Sequence, residues 1–240
     1  YYWFGEHRPE SGFVTEKGIN CYSSTDLLNW NYEGVVLPIS EAKGSDIEKG
    51  CIMERPKVIY NKQTGKFVMW FHLELKGQGY KSAEYGVAES DTPAGPFRFL
   101  YASRSCPGVW PENMTEAEIT KAKSLKEPDR KDKEWKQYVK DGVWVARDLE
   151  TGQMARDMTL FVDDDGKAYH IFSSEENHTL HIVELTDDYL RHTDRYVRIL
   201  PGGHNEAPAI FKKEGVYWMI TSGCTGWKPN AARLSKATRI

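Results

Sequence analysis

Three carboxylates occupy the same place in a repeated stretch of sequence: Glu54, Asp157 and Glu206, each just ahead of an apolar run and beside arginine, proline or a small residue. Such a set can divide the labour of acetal hydrolysis, one group protonating a departing sugar oxygen, a second activating water and a third holding or tuning the acid. The same positions also suit structural carboxylates paired with Arg55, Arg156 or backbone amides. Trp3, Trp70, Trp110, Trp218, Trp227 and Tyr80 have two readings as well, as sugar-stacking platforms if exposed in a pocket or as core packing. The apolar strands around Trp70 and Trp218 favour the core for those two. His7, His72 and His170 lie in or after such strands, where a cluster can hold a cation or water, but packed neutral histidines are the plainer expectation. No local motif demands a metal or a cofactor.

The elements that must position these residues are hairpins. A short apolar strand, a turn rich in Asn, Asp or Gly, and a second strand dense in aromatic and β-branched residues occur in full at 54–72, 156–173 and 206–221. Residues 1–7 read as the second strand of a fourth copy, so the chain is expected to begin mid-repeat. Further strands end in aspartate-bearing corners at 24–30, 89–97 and 185–190. Repeated antiparallel sheets of this kind predict an all-β fold, a β-propeller, with a β-sandwich as the alternative. Residues from about 107 to 150 break the pattern: they are charged and lysine-rich, and 112–123 has the composition of a helix with acids early and bases late. This is an insertion in a single domain spanning 1–240, either a wall beside the site or a solvated surface. The remainder amounts to roughly four blades, so the chain is expected to stop before the propeller closes.

The 240 residues carry 32 basic and 35 acidic side chains, a net charge of −3, with 40% hydrophobic and 12% aromatic content. That balance supplies no field to gather phosphates or anionic lipid, so no nucleic-acid partner is expected. No stretch approaches the roughly 18 apolar residues of a membrane-spanning helix. The first residues lack the basic start and cleavage site of a secretory signal, as in a mature or trimmed chain. Cys21, Cys51, Cys106 and Cys224 form no Cys-x-x-Cys pair, which excludes a zinc ribbon or redox motif and predicts free thiols.

The strings Tyr1-Tyr-Trp-Phe-Gly-Glu-His-Arg8, Cys21-Tyr-Ser-Ser-Thr-Asp-Leu-Leu-Asn-Trp30, Glu54-Arg-Pro-Lys-Val-Ile-Tyr-Asn61, Arg156-Asp-Met-Thr-Leu-Phe161, Ser173-Ser-Glu-Glu-Asn177 and Ser222-Gly-Cys-Thr-Gly-Trp227, with 87–97 and 185–190, resemble glycoside hydrolase family 43, most of all its exo-β-1,3-galactanase branch. The likeness covers nearly the whole chain outside the insertion. It implies a five-bladed β-propeller, about four blades of which are visible here, and an inverting enzyme. That enzyme would release galactose from the non-reducing end of β-1,3-galactan, such as an arabinogalactan backbone. The partner is then an oligosaccharide or polysaccharide, and the location extracellular or periplasmic. Matched position by position, Glu206 is the general acid and Asp157 the residue that orients it and favours its protonated form. Glu54 grips sugar hydroxyls, and Glu6, Tyr80, Asn177 and Thr225 line the subsite. The family's usual base position would lie before Tyr1, and the galactanase branch's candidate after Ile240; Glu54 is the fallback. An α-L-arabinofuranosidase, a β-xylosidase or a non-catalytic carbohydrate-binding propeller are the alternatives on the same fold.

Overall fold

A computed structural model describes residues 1–10, 12–129, 132–226 and 228–240. Trp227 lies outside the described residues. Two compact units emerge: Tyr1–Ser103 with Asp187–Leu190, and Arg104–Thr186 with Arg191–Ile240.

In the first unit, β1 (Tyr2–Glu6), β2 (Gly18–Ser23) and β3 (Asn31–Pro38) form an antiparallel sheet in chain order. A second sheet runs β4 (Ile52–Asn61), β5 (Lys66–Glu74), β6 (Glu84–Ser90) and β7 (Arg98–Ser103), also in chain order. The first turn of this sheet is set by Asn61, whose Oδ1 accepts from the amides of Gln63 (2.9 Å) and Thr64 (3.0 Å). Strand β5 is buried from Val68 to Glu74, so its sequence is a continuous apolar run rather than an alternation. Phe71 of β5 fits because position 86 carries no side chain; a Cβ there would lie 2.3 Å from the Phe71 ring. With Ile19, Leu37, Met53, Met69 and Leu73 it forms the core of this unit, each such side chain contributing roughly 1.5–3 kcal/mol of burial. Trp70 is fully buried, stacks on Tyr85 with centroids 4.7 Å apart, and donates its indole N–H to the Tyr189 carbonyl at 2.9 Å. It is a core residue, as its setting in the sequence predicts.

The second unit opens with the insertion, which holds α1 (Glu116–Ser124), α2 (Trp135–Lys140) and α3 (Val143–Arg147). Helix α1 starts where Thr115 and Glu118 form a reciprocal capping box, later than the acid-to-base gradient from Glu112 suggests. The sequence gives no comparable signal for α2 and α3. These two short helices depend on a small core of Val139, Val143 and Trp144 packed with Leu125, Trp135 and Tyr138. The strands β8 (Met158–Val162), β9 (Ala168–Ser174), β10 (Thr179–Leu185) and β11 (His192–Ile199) make one antiparallel sheet. Another contains β12 (Asn205–Lys213), β13 (Val216–Gly223) and β14 (Arg233–Ala237). Glu214 and Gly215 connect β12 to β13 with φ of 53° and 75°, both positive as a two-residue hairpin turn with the twist of its strands requires. Outside the insertion the described chain is therefore all-β, in four antiparallel sheets. Its four cysteines are free thiols.

The β9–β10 connection is strained. Glu175, Glu176 and Asn177 have φ of 53°, 56° and 64°, successive left-handed residues with no glycine among them, at about 1–2 kcal/mol each. A buried ion network holds the loop in this shape. Arg198 grips Glu175 with two hydrogen bonds of 2.7 Å, His181 approaches it at 3.0 Å, and Arg198 also donates to the Val139 carbonyl of α2 at 2.7 Å. Burial alone would raise the Glu175 pKa, but the Arg198 charge and the His181 and Arg198 hydrogen bonds outweigh it and hold the carboxyl down at about 2. A depressed carboxyl stabilises the fold above its ordinary range and loses that contribution as pH falls through the folded value. Lowering pH from 5 towards 2 is therefore expected to reduce the urea midpoint, and Glu175→Gln to flatten that decline while lowering stability at pH 7 by about 3–5 kcal/mol. An unchanged acid slope in the variant would contradict the assignment.

Candidate active site

Two carboxylate positions share one backbone device. In β4 the register shifts between Glu54 and Lys57, and in β12 between Glu206 and Ala209, so that each strand carries one extra residue. The sequence cause is Glu-x-Pro: Pro56 and Pro208 cannot donate to a ladder, and a bulge accommodates them. The intervening Arg55 and Ala207 are left-handed, with φ of 53° and 48°. Each glutamate thus sits at a sharp bend at the N-terminal end of its strand, Glu54 opposite His72 and Glu206 opposite Ser222. Asp157 precedes β8 and has no bulge.

In the first unit Glu54 is buried and heavily engaged. Its Oε1 accepts from the Tyr80 hydroxyl at 2.8 Å and from Arg8, and its Oε2 faces His72 Nδ1 at 3.1 Å. His72 Nε2 faces Glu74 Oε1 at 2.9 Å, and Glu74 in turn accepts from the Ala83 amide. Arg8 also reaches Glu6 at 3.2 Å. Glu6, Glu54 and Tyr80, singled out in the sequence, therefore come together, Tyr80 directly on Glu54 and Glu6 through Arg8, a residue that the sequence reading gave no role. Burial raises the Glu54 pKa less than His72, Tyr80 and Arg8 lower it, so the carboxyl stays ionised below its ordinary range. Glu6 goes the other way: burial, helped by the Glu54 charge, outweighs Arg8 and raises it. His72 is buried between Glu54 and Glu74. Burial disfavours its cation, but the two flanking carboxylates prevail and raise its pKa. The signal available was the His72-x-Glu74 spacing, which puts both side chains on one face of β5.

In the second unit Glu206 is half-buried, and its Oε1 accepts from Asn177 Nδ2 at 3.2 Å and from the Cys224 thiol at 3.1 Å. Burial and the Glu206 hydrogen bond push the Cys224 thiol up to about 11, so it remains a donor. Asp157 Oδ2 accepts the amide of Ala207 at 3.0 Å, and its backbone pairs with Ser173. Asp157 is thus a carboxylate tied to a backbone amide, one of the two readings its sequence position allows, and that amide belongs to the residue following Glu206. Asn177 comes to Glu206 because the left-handed 175–177 loop turns it there, and its Oδ1 makes no hydrogen bond among the described residues. Thr225 follows Cys224 but is exposed, with its hydroxyl committed to the Lys228 carbonyl at 2.7 Å. His170 packs against His192 with Nδ1 at 3.1 Å, and burial with that neighbour keeps it neutral. Trp3 is 60% exposed beside Trp30, while Trp110 and Trp218 are half-buried.

The Glu206 carboxyl, on a bulge, thus accepts from a side-chain amide and a thiol, while Asp157 holds the backbone of the next residue, and a carboxyl placed in this way is able to transfer a proton. The sequence profile described as Glycosyl hydrolases family 43 matches residues 109–238, more than half of the chain. The protein belongs to glycosyl hydrolase family 43. This family 43 enzyme is a glycoside hydrolase. It is 66% identical over its full length to a family 43 β-1,3-galactosidase solved with galactodeoxynojirimycin, covering 70% of that chain with a TM-score of 0.94. It is 36% identical, again over its full length, to the exo-β-1,3-galactanase 1,3Gal43A of Clostridium thermocellum, covering 43% of that chain at a TM-score of 0.76. A β-D-galactofuranosidase of Aspergillus niger is 33% identical over 87 residues, 36% of this chain and 25% of that protein. The family 43 chain thus spans less than half the length of the last two. No helix among the described residues is long and apolar enough to cross a membrane.

Proposed function

We propose that the protein is an inverting exo-β-1,3-galactanase that releases galactose from the non-reducing end of β-1,3-galactan, the backbone of arabinogalactans. The observation that carries this reading is the 66% identity, without a gap in coverage of this chain, to a β-1,3-galactosidase. The four sheets are then blades of a five-bladed propeller, and since the polymer lies outside cells the enzyme works there or in a periplasm.

Glu206 is the general acid. Two donors already occupy its Oε1, which leaves the acidic proton to Oε2. As the C–O bond of the glycoside breaks, that proton passes to the leaving oxygen and water attacks C1 from the opposite face. Asp157, through the Ala207 amide, holds the bend that aims Glu206. Glu54, kept anionic by His72 and Arg8, accepts hydrogen bonds from sugar hydroxyls. Glu6, Tyr80, Asn177 and Thr225 complete the sugar subsite. The general base is not assigned to a residue of this chain.

Incubation of the full-length protein with β-1,3-galactan, and separately with aryl α-L-arabinofuranoside and β-D-xyloside, tests the reading by product analysis. Galactose from the galactan alone is the expected result. Arabinose or xylose, with the galactan untouched, would overturn it.

A further inference from the structure

The second unit holds a cavity of about 440 Å³ that none of the roles above uses. Trp135 of α2 and Trp144 of α3 form its apolar wall, Glu127 and Glu176 its acidic edge, and His178 and His204 lie against the indoles. Trp135 stands 4.7 Å from the His178 ring and 4.8 Å from His204, and Trp144 lies edge-on to His178 at 5.1 Å. The wall is firmly built: Trp144 Nε1 donates to Glu127 at 3.0 Å, and Arg147 ties Glu127 (3.0 Å) to Glu176 (3.1 Å). The two imidazoles share a 2.6 Å hydrogen bond.

This cavity is built on the supports of Glu206. His178 directly follows Asn177, which donates to Glu206, and His204 lies two residues before Glu206 on the same approach to β12. The backbones are laced together: Gly202 and His204 donate to the His178 carbonyl at 2.9 and 3.4 Å, and Cys224 donates to the His204 carbonyl at 3.3 Å. Burial and the neighbouring His204 push His178 down to about 4, so the imidazoles stay neutral. Glu127, Glu176 and Asp129 line the cavity and offer carboxylate oxygens as hydrogen-bond acceptors, the first two paired with Arg147. Indole faces beside carboxylate acceptors match a neutral pyranose, which offers an apolar C–H face and a ring of hydroxyl donors.

We propose that the insertion builds a second saccharide site, which binds the galactosyl units on the leaving side of the scissile bond, with Trp135 as its stacking platform. The inference rests on the galactanase reading, because a general acid faces the sugar whose oxygen it protonates. It makes residues 107–150 part of substrate recognition.

The test compares two substrates in the full-length protein. β-1,3-Galactotriose places sugars beyond the scissile bond. β-D-Galactopyranosyl fluoride does not: its C1–F bond breaks, water supplies the new C1–O bond, and only galactose and hydrogen fluoride result. Trp135→Ala is expected to lose about tenfold or more in kcat/KM on the triose and to retain fluoride turnover within about twofold, with Trp135→Phe recovering most of the loss. Equal losses on both substrates, or no loss on the triose, would overturn the proposal. A wild-type protein inert to both would overturn the galactanase reading and this inference with it.

Discussion

Replacing Glu206 by Gln is expected to lower kcat on β-1,3-galactobiose by about 10²–10⁴-fold, the usual contribution of a positioned acid, while galactose binding changes little. The amide keeps the size of the carboxyl and can still accept from Asn177 and Cys224 at the position of Oε1, so the subsite is preserved and only the proton is lost. The defect should therefore depend on the leaving group. A galactoside with an acidic aryl alcohol, which departs without protonation, should lose far less than the disaccharide. Steady-state kinetics on the two substrates, with calorimetric binding of galactose, separate this from a folding defect. An equal loss on both would remove Glu206 from the acid role.

Glu54→Gln is expected to fail differently. The Glu54 carboxylate is shared by Arg8, Tyr80 and His72, and neutralising it leaves the buried His72 with Glu74 alone and Arg8 with Glu6. Loss of charged hydrogen bonds of about 1.5–3 kcal/mol predicts about 10–100-fold weaker binding of galactose or galactodeoxynojirimycin, alongside reduced turnover. The variant should also change the alkaline limb of stability. A histidine whose pKa is raised in the folded state stabilises the fold below its unfolded value, and that contribution disappears as pH rises through the folded value. Without Glu54 the His72 pKa falls, so the loss begins at lower pH. Binding isotherms and urea midpoints across the pH range measure both effects. Equal, mild effects of Glu54→Gln and Glu206→Gln would contradict both assignments.

Strands were the legible part of the fold, because alternation, aromatic runs and Gly or Asn turns are local signals, as at Asn61 and at Glu214-Gly215. The two Glu-x-Pro bends were not among the expectations, although proline within a strand is a local signal for a bulge. Helices α2 and α3 were not legible: at six and five residues they are too short to form on propensity and depend on packing around Trp144. The partners of the carboxylates were equally hidden. Arg8 meets Glu54 across 46 positions and Asn177 meets Glu206 across 29, and no periodicity encodes such pairs. Glu175 has no assigned role in the sequence, and only burial against Arg198 makes it the pin of a left-handed loop. His72 shows the same limit, its pKa being raised by two carboxylates despite its burial in an apolar strand.

Proton NMR of the full-length protein mixed with β-1,3-galactobiose, following the anomeric signals in the first minutes before mutarotation, tests the central claim most directly. The account predicts α-galactose as the first new species, with the β-anomer growing in later. β-Galactose appearing first would contradict inversion, and no galactose at all would contradict the galactanase reading.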